Sequence, residues 1–213
     1  MKTRTSINLI LVLVVLIMIW GCATTPNTQE ERDVVKEERD VVRDEKNVVQ
    51  DEIFIQSIRS DDFAEVKRLI EAGADVNARD ERGTTAIMWT SIKGNAEIAE
   101  LLVEGGADVN KWDNKGGTAL ILASGFGHID IVNMLIRKGA DVNAKTNEGY
   151  TALMFALNIE RTDIAMLLIE DGADINAQDE DGSTALMVAS RKGNKEAVQL
   201  LIEKEADVNV QSK

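Results

Sequence analysis

Between Asp51 and Lys213 the apolar residues follow a helical rhythm that restarts at a fixed interval. Ile98, Ala99, Leu101 and Leu102 occupy positions i, i+1, i+3 and i+4, and the set recurs as Ile131, Val132, Met134, Leu135 and as Ile164, Ala165, Leu167, Leu168. That spacing puts one apolar stripe on each of a series of helices. Gly73, Gly106, Gly139 and Gly172 close these helices, where a left-handed stop is least costly. Thr85, Thr118, Thr151 and Thr184 each follow a glycine (Gly83, Gly116, Gly149, Gly182) by two residues, and their hydroxyls are placed to cap a shorter helix ahead of each stripe.

The interval is 33 residues: blocks start at Ala74, Ala107, Ala140 and Ala173, and a fifth start at Ala206 runs only to Lys213. Each opens with Ala-Asp-Val/Ile-Asn, and Gly-x-Thr-Ala follows. The period, the "GADVNA" turn and the "TAL" helix start resemble the ankyrin repeat, over about three quarters of the chain. The resemblance implies an all-α ankyrin-repeat solenoid with four full repeats, 74–106, 107–139, 140–172 and 173–205. Segment 51–73, which lacks the glycine and threonine, reads as an N-terminal capping half-repeat whose second helix starts at Asp62, and 206–213 as a C-terminal stub. A single repeat cannot bury its own apolar face, so stability requires stacking.

Three departures from the family pattern carry expectations. "TAIM", "TALI", "TALM" and "TALM" stand where the family has Thr-Pro-Leu-His, so Met88, Met154 and Met187 are expected to fill the gaps between repeats. Glu160 and Glu205 replace closing glycines, and strain or altered turns are expected at both.

Ahead of the repeats, "MKTRTSINLILVLVVLIMIWGC" has two cations and then an apolar run from Ile7 to Trp20 broken only by Asn8. The run is shorter than the ~20 residues that span a bilayer, which favours a signal peptide, residues 1–21. "IWGC" resembles a bacterial lipobox, with Trp20 a departure. The resemblance implies a lipidated N-terminal Cys22, a flexible tether over 22–29, and, with Ala23 rather than Asp next, a place on the periplasmic face of the outer membrane. Multiple acyl chains hold a protein durably, whereas one holds it marginally. Residues 30–50, "EERDVVKEERDVVRDEKNVVQ", form three charged heptads. Their adjacent valines give a narrow seam, so a charged, helical spacer up to ~32 Å long is expected, with self-association through the stripe as the alternative.

Charge and chemistry then narrow the function. The chain has 24 bases, 37 acids and a formal charge of −13. Such a surface repels phosphate backbones, so no nucleic-acid partner is expected; the charge serves solubility or selects a basic partner. The lone cysteine excludes an internal disulfide and a CxxC metal site. His128, the lone histidine, opens a second helix and reads as structural. Asp75, Asp108, Asp141, Asp174 and Asp207, with Asn77, Asn110, Asn143, Asn176 and Asn209, recur with the period and read as turn-makers rather than ligands. No phosphate loop, serine elbow or zinc spacing occurs, so no enzyme activity, cofactor or small-molecule substrate is expected.

What remains is a binding face. The ankyrin resemblance implies contact through the hairpin tips and the inner ends of the first helices. By position, those tips include Arg82, Lys115, Glu148 and Asp181. Ile92, Phe126, Tyr150 and Ile159 are apolar where the scaffold does not demand it, and Trp112 joins them from a hairpin; aromatic groups of this kind anchor protein interfaces. Trp89 and Phe155, one turn earlier, read as core. The expectation is a tethered extracytoplasmic module for an unknown protein partner, with an immunity protein neutralising an envelope enzyme, and a passive spacer, as alternatives.

Overall fold

The computed structural model describes residues Val48–Lys213, a succession of helical hairpins. The leader, Cys22, the tether and the heptads up to residue 47 lie outside the described residues.

Among the described residues ten helices follow one another: α1 (48–59) and α2 (Phe63–Glu71), then α3 (Ala86–Lys93) and α4 (Ala96–Glu104), α5 (Ala119–Phe126) and α6 (Ile129–Arg137), α7 (Ala152–Asn158) and α8 (Thr162–Glu170), α9 (Ala185–Lys192) and α10 (Lys195–Glu203). Among the described residues there is no strand; isolated antiparallel bridges such as Trp112 with Thr118 close the hairpin loops. The molecule is an all-α repeat solenoid.

Hydroxyl caps start the first helices as their sequence requires. Thr118, Thr151 and Thr184 accept from the backbone N–H three residues on, at 3.3, 3.3 and 3.4 Å. Thr85 differs: its hydroxyl is buried without a partner, and its own N–H points at the Met88 sulfur, 3.3 Å away. The second helices are capped one turn before their stripes by Asp62, Asn95 and Asn194, whose side chains accept at 3.0, 2.9 and 3.0 Å.

The stripes then stack. Ile98, Leu102, Ile131, Leu135, Ile164 and Leu168 are fully buried, and Phe54 and Ile58 of α1 join them from the first helix pair. Burial of each such side chain stabilises by ~1.5–3 kcal/mol relative to leaving it in water. Successive first helices pack more extensively on each other than successive second helices do. The stack therefore bends towards the first-helix side, which becomes concave. Met88 and Met154 are buried as expected; Met187, in the last helix pair, is half-buried because no further pair covers it. Trp89 and Phe155 are half-buried, packed on the core with one side open.

At the closing positions the turn survives the loss of glycine. Gly94, Gly127 and Gly193 have φ of 83°, 82° and 69°, and Glu160 takes the same place with φ 61°. Glu205 does likewise at φ 65°, where Gly172 has 88°. The turns are thus kept and the strain is carried in the backbone, since an L side chain in this region costs ~1–2 kcal/mol. Asp61, φ 63°, is a third case, in register with Gly94. α7 also stops one residue earlier than its equivalents, at Asn158.

Candidate functional site

Two ladders of polar side chains fix the surface on which a partner can dock. Along the turns, each Asp accepts from the N–H two residues later, as Asp108 does from Asn110 at 2.9 Å. Asparagines of the inner turns then reach the next repeat: Asn110 Nδ2 donates to the Gly139 carbonyl at 3.0 Å, and its Oδ1 accepts from the Asp141 N–H at 2.8 Å. Asn77 and Asn143 do the same. The carboxylates are therefore occupied as turn-makers, and among the described residues no group of three His, Cys, Asp or Glu side chains is arranged to hold a metal ion.

The second ladder runs where each second helix opens. Asn95 Nδ2 donates to Asp61 Oδ1 at 2.8 Å, His128 Nε2 lies 3.2 Å from the Ile92 carbonyl, Arg161 donates to the Gly127 carbonyl, and Asn194 Nδ2 donates to Thr162 Oγ1 at 3.0 Å. Side chains of three types thus perform one linking task. Asp163 grips the same Arg161 through two bonds, 2.9 and 2.6 Å, and that hydrogen bonding holds its carboxyl below the usual aspartate range.

The hairpin tips form a continuous backbone edge. The N–H groups of Asn114, Asn147, Glu180 and Lys213 donate to the carbonyls of Arg82, Lys115, Glu148 and Asp181 at 3.0, 2.8, 2.9 and 2.8 Å. This approach is close enough that a Cβ at Gly116 would come within 2.7 Å of the Asn147 nitrogen, so glycine is required there. The tip backbones are locked while the side chains of Arg82, Lys115, Glu148 and Asp181 remain exposed.

The apolar candidates separate into three settings. Phe126 and Ile159 stand on the first-helix face, 56% and 39% exposed, in equivalent places of adjacent repeats. Phe126 also stacks parallel to His128, ring centroids 6.5 Å apart. Ile92 and Tyr150 are half-buried, and Tyr150 meets the Phe155 ring edge-on at 5.8 Å. Trp112, 64% exposed, stands apart in a shallow groove with Lys145, Asp141 and Asn147 of the next hairpin. Phe126 and Ile159 therefore make the file; Tyr150 stands at the opposite end of α7, and Trp112 belongs to the hairpin side.

One feature is not visible as a linear motif. A groove of about 490 Å3 separates α1 from the first hairpin. Trp89 lines it, held by Nε1 donating to Asp80 at 3.2 Å and covered by the Arg59 guanidinium at 4.9 Å. Asp51 lies there too, its carboxyl pushed up by burial and by the nearby charge of Asp75.

The family is decided by the match of an ankyrin-repeat model, three repeats in length, to residues 54–146 and again to 141–212. The chain belongs to the ankyrin-repeat family. No curated protein matches it. Ankyrin repeats are, as a rule, non-enzymatic modules for protein–protein interaction. Among the described residues no helix is long and apolar enough to cross a membrane.

Proposed function

We propose that the chain is a lipid-tethered, extracytoplasmic ankyrin module that binds a protein partner through the first-helix face. The observation that carries the reading is the exposed file of Phe126 and Ile159 on a face whose backbone is fixed on both sides by ladders. Large apolar groups held rigidly in water lose little entropy on docking, which makes them efficient anchors. The tether rests on the apolar run from Ile7 to Trp20 and on Gly21-Cys22. Ala23, which is not aspartate, supports sorting to the outer membrane.

A photo-crosslinking residue placed at position 126 in cells, followed by mass spectrometry, tests the interface; a specific adduct lost on Ile159→Ser supports it, and no adduct above that of a convex-face position overturns it. Cys22→Ser tests the tether separately, with transfer to the soluble fraction expected. If substituting the whole file leaves every cellular contact intact, the chain is a spacer.

A further inference from the structure

The four repeats place one residue each at the closing position of their first helix, Lys93, Phe126, Ile159 (the residue just past α7) and Lys192, all exposed. This row lies along the concave face, and its sequence is cation, apolar, apolar, cation. Ile92 and Arg191 stand beside its two ends.

The charge around the row is segregated in a way the total conceals. The first helices α3, α5, α7 and α9 contain Lys93, Arg191 and Lys192 and no carboxylate. The second helices α4, α6, α8 and α10 carry Glu97, Glu100, Glu104, Asp130, Asp163, Glu170, Glu196 and Glu203 against Arg137 and Lys195. A chain of net charge −13 thus keeps carboxylates off these four helices, while exposed Glu160 directly follows Ile159 of the row. Neither Lys93 nor Lys192 forms an ion pair among the described residues, so both charges are open to a partner. At a Debye length of ~8 Å the carboxylates on the far side of each hairpin are screened from this row. Glu148, Glu180 and Asp181 border the face along the hairpin edge, and they repel acids from that edge.

We infer that the partner presents an acidic segment with an apolar centre, its carboxylates paired with Lys93 and Lys192 and its apolar side chains seated on Phe126 and Ile159. This rests on the interface proposed above and adds the chemistry of the bound segment. Adjacent helices lie ~8–10 Å apart, so the row spans roughly 25–30 Å. An extended chain rises ~3.3 Å per residue, which sets the acid, two apolar groups and second acid about three residues apart.

The test uses the full chain in detergent micelles and three fluorescent decapeptides. The first has glutamate at positions 1 and 10 and leucine at 4 and 7, with serine and glycine elsewhere; the second has lysine for glutamate; the third has serine for leucine. By anisotropy in low salt, the glutamate peptide is expected to bind at least fivefold more tightly than the lysine peptide, with the gap closing in high salt, and the serine peptide is expected to bind more weakly than the glutamate–leucine peptide. Lys93→Glu with Lys192→Glu is expected to reverse the preference while thermal melting stays unchanged. Equal binding of the first two peptides, a preference unmoved by the double variant, or no binding of any of them overturns the inference. If the crosslink at position 126 forms nonetheless, the interface stands and only the partner's chemistry is lost.

Discussion

The imidazole of His128 lies over Gly94, with its Nε2 3.2 Å from the carbonyl oxygen of Ile92 one repeat earlier. Gly94 has φ 83°, and a Cβ there would come within 2.4 Å of His128 Cε1. Gly94→Ala is therefore expected to destabilise by ~2–4 kcal/mol, combining the left-handed penalty with displacement of the ring. Gly94→Ala with His128→Ala keeps only the backbone part, so the double variant should be less destabilised than the sum of the two single changes. Denaturant titration of all three reads this; additive losses would show that ring and glycine do not meet.

Glu160 and Glu205 hold left-handed backbone at φ 61° and 65°. Replacing either by glycine relieves the side-chain penalty and increases the freedom of the unfolded chain, effects of opposite sign. A net gain of ~0.5–1 kcal/mol is expected for each, additive because the two turns are remote. Unchanged or lower denaturation midpoints would show that the glutamates have compensating contacts.

How much of this was legible beforehand depended on whether a role recurs. The stripes, the caps at Thr118, Thr151 and Thr184, and the glycine stops repeat at one interval, so sequence identifies them; the family and the fold follow. The link at the start of each second helix does not keep one residue type: asparagine serves it at Asn95 and Asn194, but His128 and Arg161 serve it between them. Asp61 could have been found by counting back from Gly94, because the frame had already been set. The separation of Trp112 from Phe126 could not, since side-chain direction at a hairpin depends on how the next loop stacks against it.

The asparagine ladder offers a comparison within one molecule. Asn110 bridges two repeats through Gly139 and Asp141, whereas Asn209 sits in the final turn, where only its backbone N–H bonds, to Asp207 at 2.8 Å. Asn110→Ala leaves a carbonyl and an N–H to find water and is expected to cost ~1–3 kcal/mol. Asn209→Ala is expected to stay within ~0.5 kcal/mol of the parent. Equal effects would mean that the bridge adds nothing beyond the turn.

Asp163 carries a sign that pH can read. Its folded pKa is lowered, first by hydrogen bonding to Arg161, so its contribution is present above the ordinary aspartate value of ~3.9 and fades as pH falls through the lowered folded value. The carboxylate is half exposed, so solvent keeps the effect small. Asp163→Asn is expected to melt slightly below the parent at neutral pH, and the difference should narrow as pH falls below the ordinary aspartate value and through the lowered folded one. A constant difference across that range would place the effect in packing, not ionisation.

Phe126 and Tyr150 should part company when truncated. Sequence alone treats both as spare apolar groups whose joint removal leaves melting nearly unchanged, but Tyr150 is half-buried and meets Phe155 edge-on, while Phe126 is 56% exposed. Tyr150→Ala removes an aromatic pair of ~0.5–1.5 kcal/mol together with buried area, and is expected to lower the denaturation midpoint measurably. Phe126→Ala loses only the partial cover of His128 and is expected to cost under ~1 kcal/mol while removing an anchor of the partner. Paired denaturation and crosslinking measurements separate the two. If Phe126→Ala destabilises as much as Tyr150→Ala, its ring is part of the scaffold, and the docking file reduces to Ile159.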